Sequence, residues 1–145
     1  NLVSKELAQM IVKDGEGATK FVEIKIEGLE SSEDCLEVAY TVAHSPLVKT
    51  ALFASDANWG RILAAVGRAK VNGISIKNID IFINDVQIIN SGEKSSDYTE
   101  ALGSAEMQKY EIVIRVILGA SDTSESVWTT DLSYDYVKIN AEYRS

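Results

Sequence analysis

The stretch Ile79-Asp80-Ile81-Phe82-Ile83-Asn84-Asp85-Val86-Gln87-Ile88-Ile89 decides the fold class. Two short runs rich in β-branched residues flank Asn84-Asp85, a residue pair that turns a chain back on itself. The reading is a β-hairpin, and a hairpin brings antiparallel pairing into whatever sheet contains it. Outward from it, helices and strands alternate irregularly. Together these features predict an α+β fold, a mixed sheet packed with helices, rather than a doubly wound nucleotide fold. Two absences agree with this: no Gly-x-Gly-x-x-Gly follows a strand, and no phosphate-binding loop ends in Lys-Ser or Lys-Thr.

Upstream of the hairpin, residues 2–13 read as an amphipathic helix with Leu2, Leu7, Ile11 and Val12 inward, ended by Asp14-Gly15-Glu16-Gly17. Phe21 to Ile26 alternates, with Val22, Ile24 and Ile26 on one face against Glu23 and Lys25, the pattern of a half-buried strand. Ser31-Ser32-Glu33-Asp34 opens a second helix with a serine cap and acids in its first turn. Leu36, Val38, Ala39, Val42 and Ala43 give it an apolar face until Ser45-Pro46 stops it. Leu47 to Ala54 then reads as a strand, Asp56 to Gly60 as a polar turn, and Arg61 to Arg68 as a helix ended near Asn72-Gly73.

Downstream, Asp97-Tyr98-Thr99-Glu100 resembles a capping box that starts a helix running to Gln108. Glu111 to Leu118 is the strongest strand signal, and Glu125 to Thr130 is its expected partner. A short helix over Ser133 to Ile139 closes the pattern.

Composition bounds what such a domain does. The 145 residues suit one domain with a real core, and 46% hydrophobic with 25% charged residues is ordinary for a globular protein. No apolar run reaches the roughly 18–20 residues of a membrane helix, and the first residues lack a secretory signal pattern; no membrane association is expected, and the location expected is cytoplasmic. The net charge of -8, with scattered Lys and Arg, disfavours nucleic acid as a partner. Cys35 is the single cysteine and His44 the single histidine, so neither a disulfide nor a conventional zinc site is expected. Cys35 lies among Glu33, Asp34 and Glu37, surroundings opposed to those of a reactive cysteine, and reads as a small helix-face residue. His44 reads as a helix-end residue.

Three segments carry more polar residues and glycine than packing requires. In Lys13-Asp14-Gly15-Glu16-Gly17-Ala18-Thr19-Lys20, either the glycines let backbone approach a ligand that Glu16 grips, or the segment is a helix cap and turn. In Ser55-Asp56-Ala57-Asn58-Trp59-Gly60-Arg61, either Asp56 or Asn58 caps the next helix while Trp59 fills the core, or the helix start binds an anion. At the end of the chain Asn140 offers a donor and an acceptor, and Ser145 a hydroxyl; Tyr134, Tyr136 and Tyr143 argue for a docked tail over a frayed one. These residues alone do not name a reaction.

Taken together, the segments resemble one family. The acidic glycine block 13–20, the block running from Ser45-Pro46-Leu47-Val48-Lys49-Thr50-Ala51 into Asp56-Ala57-Asn58-Trp59-Gly60-Arg61-Ile62, and the terminus Asp131-Leu132 with Tyr136-Val137-Lys138-Ile139-Asn140-Ala141-Glu142-Tyr143-Arg144-Ser145 occur in the order and spacing of the ornithine acetyltransferases, also called glutamate N-acetyltransferases. The resemblance spans essentially the whole chain. It implies the C-terminal part of the β chain of an arginine-biosynthesis acyltransferase with an N-terminal-nucleophile-type fold.

In that family the precursor cleaves itself between an Ala and a Thr, and the new N-terminal Thr takes the acetyl group of N-acetylornithine and passes it to glutamate. The α chain supplies the oxyanion hole. The resemblance assigns substrate contacts to Glu16, Asn140 and Ser145 and structural support to Asp56, Asn58 and Arg61. Thr19 is internal, without a free amine, and belongs at most to the wall of the site. The nucleophilic Thr and the α chain are not in the sequence, so the chain alone is expected to be inactive. No cofactor or metal is implied, although some members accept acetyl-CoA as donor. The implied assembly is a heterotetramer of two α and two β chains. A stand-alone binding or structural domain, or a related N-terminal nucleophile hydrolase, are the other readings; an Ala-Thr cleavage site upstream separates the enzyme readings from the binding domain, and acetyl-donor assays on the full precursor separate the enzyme readings from each other.

Overall fold

A computed structural model describes residues 19–132. They form a mixed α+β fold built on a six-stranded sheet of order β4-β3-β2-β5-β1-β6. In chain order the elements are β1 (Phe21–Glu27), α1 (Ser32–Ala43), α2 (Pro46–Phe53), α3 (Trp59–Arg68), a 3-10 turn (Ile76–Asn78), β2 (Asp80–Ile83), β3 (Val86–Asn90), β4 (Glu93–Lys94), α4 (Glu100–Met107), β5 (Glu111–Ile117) and β6 (Ser124–Thr130). The expected helices over residues 2–13 and Ser133 to Ile139 lie outside the described residues.

The two alternating strands occupy the centre. β1 and β5 run parallel, pairing Val22 with Ile112, Ile24 with Ile114 and Ile26 with Val116. All six are buried, at 1% exposure or less. β2 adds antiparallel to β5, setting Ile81 against Val116 and Ile83 against Ile114, which continues the same apolar face. On that face pack Cys35, Val38, Ala39 and Val42 of α1, Val48 and Leu52 of α2, and Ile62, Ala65 and Val66 of α3, in one continuous core. Burying an Ile or Val side chain contributes on the order of 1.5–3 kcal/mol. The opposite face is mixed: Arg115 pairs with Glu27 and lies 5.1 Å from the centre of the Phe82 ring.

The hairpin forms where the sequence placed it. The Asn84 N–H donates to Val113 O at 2.8 Å and its side-chain oxygen accepts from Val113 N at 2.9 Å, so the turn is tied to β5. A register shift after Ile81 is accommodated in β3, where both Ile88 and Ile89 are buried, as a bulge allows. The capping residue of α4 is Thr99, which accepts from Leu102 N at 3.3 Å. Ser31 caps α1 as expected, accepting from Asp34 N at 3.1 Å, and His44 ends that helix.

Two expectations are corrected. Leu47 to Ala54 is not a strand but the body of α2. Ser45 accepts from Val48 N at 3.3 Å and Pro46 occupies the first turn, so the pair that ends α1 also starts α2. Buried Val48, Ala51 and Leu52 follow helical spacing, which outweighs the β-branching of Val48 and Thr50. Second, β6 pairs with β1 and not with β5: Val127 faces Ile24 and Thr129 faces Val22. Both sides of β5 are already taken by β1 and β2. A smaller adjustment concerns α1, where Cys35 is fully buried and Leu36 only partly so.

Beyond the ends of the central pair, Gly28 and Gly119 meet backbone to backbone. Gly28 has φ +96°, and a side chain there would put its Cβ 2.2 Å from Gly119 O. Gly28→Ala should therefore cost about 3 kcal/mol, read as a fall in urea midpoint. A second prediction concerns acid. The Lys109 ammonium and then the Asn84 amide hold the Glu106 carboxyl below its usual 4.5. A depressed folded value contributes stability above pH 4.5 that is lost as pH falls through the folded value. Glu106→Gln should thus narrow the difference between urea midpoints measured at about pH 6 and about pH 3.

Candidate functional site

Both ends of the described chain meet at one corner of the sheet. Phe21 is the register partner of Thr130 in the antiparallel β1–β6 pair, so the next residues along, Lys20 and Asp131, face each other. There the side chain of Asp131 takes over from the backbone ladder. One carboxylate oxygen accepts from Thr19 N at 2.8 Å and Lys20 N at 3.0 Å; the other accepts from the Thr19 hydroxyl. Asp131 is 3% exposed. Burying a carboxylate is costly unless hydrogen bonds replace its water, and three donors do so here.

Lys20 extends the arrangement inward. Its side chain is buried, and its ammonium donates to Leu52 O and, at 2.7 Å, to the Ser55 hydroxyl. Leu52 O lies in the last turn of α2, where it also accepts from Ser55 N at 3.1 Å and where a cation is favoured. Among the described residues Ser55 is one of three non-glycine residues with positive φ, at 55°. Nearby, Lys49 donates to the Thr129 hydroxyl at 3.1 Å, and its carbonyl accepts from Leu132 N at 3.2 Å. Burial lowers the pKa of both Lys20 and Lys49, with the Asp131 charge acting against it.

The block 55–61 follows directly. Asn58 caps α3, its side-chain oxygen accepting from Arg61 N at 3.1 Å, while its amide donates to Asp56 at 3.2 Å. Arg61 turns back to α2, donating to Leu47 O at 2.8 Å and the Thr50 hydroxyl at 3.2 Å. Of the two readings of this block, capping is the one the geometry realises. Trp59 is partly buried against the core. Arg61 thus joins α2 to α3, while Asn58, steadied by Asp56, caps the start of α3, which is structural support.

At the same end of the sheet, on its other face, an open crevice of about 250 Å³ is lined by Phe21, Glu23, Glu111, Ile112, Val113 and Trp128. Glu23 there accepts from the Ser126 hydroxyl at 2.6 Å. Among the described residues no three His, Cys, Asp or Glu side chains come together as a metal site, and no helix is long and apolar enough to cross a membrane.

Glu16, Asn140 and Ser145, the expected substrate contacts, lie outside the described residues. Thr19 is described: its N–H and hydroxyl are both engaged by Asp131. Sequence reading did not single out Lys20 and Asp131 as a pair. A signal was present in parity. Lys20 continues the buried series Val22, Ile24, Ile26, and Asp131 continues the buried pair Val127 and Thr129. A charge that prolongs a buried face has to find partners there.

The ArgJ family model matches residues 1–145. The arginine biosynthesis bifunctional protein ArgJ of Pseudomonas fluorescens (strain Pf0-1) is 60% identical over 143 residues, which cover 99% of this chain and 35% of that protein. The protein of the same name from Psychrobacter arcticus is 54% identical over 139 residues, covering 96% of this chain and 34% of its own length. The chain thus spans about a third of the curated relatives it matches. A crystal structure of arginine biosynthesis bifunctional protein argJ from Bacillus halodurans superposes with a TM-score of 0.89 at 36% identity, covering 98% of this chain and 66% of that one.

The capping assignment has a measurable consequence. Asn58→Ala should lower stability by about 1 kcal/mol. Asp56→Ala, which removes only an exposed acceptor of the Asn58 amide, should cost about half that or less. Urea midpoints of the two variants, side by side, check the order.

Proposed function

We propose, because this chain belongs to the ArgJ family, that it is part of an arginine-biosynthesis enzyme that moves an acetyl group from N-acetylornithine to glutamate. In this reading a Thr outside the chain is the nucleophile. Its hydroxyl attacks the acetyl carbonyl, ornithine leaves, and the glutamate amine takes the acetyl group from the Thr ester. An α chain from the same precursor supplies donors for the tetrahedral oxyanions, within an assembly of two α and two β chains in the cytoplasm. No cofactor is needed; acetyl-CoA is an alternative donor.

This chain contributes substrate contacts. The Glu16 carboxylate pairs with a substrate ammonium, a charge-assisted contact. Asn140 and Ser145 contribute polar groups from the tail. The observation that carries the reading is the hydrogen bond from Thr19 N to Asp131, 2.8 Å long. Thr19 follows Glu16 by three residues and Asp131 precedes Asn140 by nine. Three residues of chain span at most about 11 Å. The acidic glycine block and the tail therefore depart from one corner, as a shared substrate requires.

The test is acetyl transfer by the whole protein that contains this chain. N-acetylornithine and glutamate should give ping-pong kinetics, and the 145-residue chain alone should transfer nothing. Glu16→Gln and Asn140→Ala should each lower kcat/KM by roughly 10- to 100-fold, the loss of a strong polar contact. Transfer by the isolated chain, or its absence from the whole protein with either acetyl donor, refutes the assignment.

A further inference from the structure

The two outer edges of the described sheet differ. β4, at one edge, is two residues long, and both Glu93 and Lys94 are exposed and charged. Short, charged edge strands keep a sheet from pairing with another chain. β6, at the other edge, is seven residues long, carries the single charge of Glu125 and contains no proline. Its register with β1 runs without a bulge from Ser124 to Thr130. Among the described residues no strand lies beyond it.

The direction of its backbone groups follows from β1. Phe21 N donates to Tyr110 O at 2.9 Å and Glu27 O accepts from Leu118 N at 2.8 Å, so the odd-numbered residues of β1 bond toward β5. The even-numbered ones bond toward β6, as Gly28 N does to Thr123 O at 3.0 Å just beyond the strand. Their register partners Glu125, Val127 and Thr129 bond back to β1. The N–H and C=O groups of Ser124, Ser126, Trp128 and Thr130 therefore point out of the edge. α2 ends this open stretch: Leu132 N, the next outward group, already donates to Lys49 O at 3.2 Å.

We propose that this edge pairs antiparallel with the same edge of a second copy of the chain, about a two-fold axis at Val127. That register engages all four outward residues, setting Ser124 against the partner's Thr130 and Ser126 against the partner's Trp128. It also places the one charge of the strand well. Glu125 falls opposite the partner's Thr129, and the Thr129 hydroxyl accepts from the Lys49 ammonium at 3.1 Å, so a carboxylate meets a cation on each side of the axis. An axis at Glu125 would instead set that carboxylate against its own copy, and like charges directly opposite destabilise a sheet. The inference goes beyond the acetyl-transfer reading and uses no group of that chemistry.

The experiment uses the whole protein carrying Ser124→Cys together with Thr130→Cys, under mild oxidation. Within one chain the two positions lie about 20 Å apart, beyond the reach of a disulfide. Across the paired edges their Cα atoms are about 5.5 Å apart, within that reach. The double variant should form a disulfide-linked dimer at least about tenfold faster than either single variant or the unsubstituted protein. Adding Ser126→Pro removes one outward N–H from each copy and spares the bonds to β1; the rate should then fall about tenfold. No link in the folded double variant, equal rates in the single variants, or a rate that Ser126→Pro leaves unchanged overturns the inference. If the double variant does not fold, hydrogen exchange in the unsubstituted protein decides. The amides of Ser124, Ser126, Trp128 and Thr130 should exchange slowly at high concentration and at least about tenfold faster once dilution separates the copies. Fast exchange at high concentration overturns the inference. So does protection that dilution leaves unchanged, because another segment of the same protein then covers the edge.

Discussion

Everything described here depends on the parallel pairing of β1 with β5. Antiparallel neighbours can be joined by a two-residue turn, but parallel ones cannot. The chain must leave the end of β1 and return to the start of β5 at the opposite end of the sheet. Between Glu27 and Glu111 it does so with four helices and a three-stranded excursion. That excursion delivers the helices of the core and places β2 against the free side of β5. It leaves the free side of β1 for β6. The corner occupied by Lys20 and Asp131 is a product of this order: β6 lies beside β1, antiparallel, and so ends where β1 begins.

Much of this was legible in the sequence, and the reasons are local. Strand alternation in 21–26 and 111–118, the Asn84-Asp85 turn and the serine cap of α1 are all signals carried by neighbours in the chain. Where sequence reading failed, the deciding information was either ambiguous or distant. Ser45-Pro46 signals both a helix end and a helix start, and only the tertiary burial of Val48, Ala51 and Leu52 selects the second. The partner of β6 cannot be read from β6 itself, because strand order follows from which edges are already occupied.

The candidate site divides along the same line. Asp56, Asn58 and Arg61 stand out as a polar block, and local rules offer Asp56 or Asn58 as a cap, of which the structure has Asn58; the bridge from Arg61 to α2 was not legible, because 47–54 read as a strand. Glu16, Asn140 and Ser145 carry no chemical signature beyond their polarity; their assignment came from resemblance. Lys20 and Asp131 occupy a middle position. Each prolongs a buried strand face by one charged residue, and neither shows a partner in its own neighbourhood of sequence. Their separation of 111 positions is what concealed the pair.

Cys35 illustrates how a residue without chemistry still has a use. It is the sole thiol of the chain, fully buried where α1 lies on the sheet, with its sulfur 3.8 Å from the Thr123 hydroxyl. A thiol reagent meets it only after α1 has lifted away. The rate of labelling is then a clock for local opening of the core, set by the free energy of that event rather than by the reagent. Within this chain the clock runs on a single thiol, with no label to engineer.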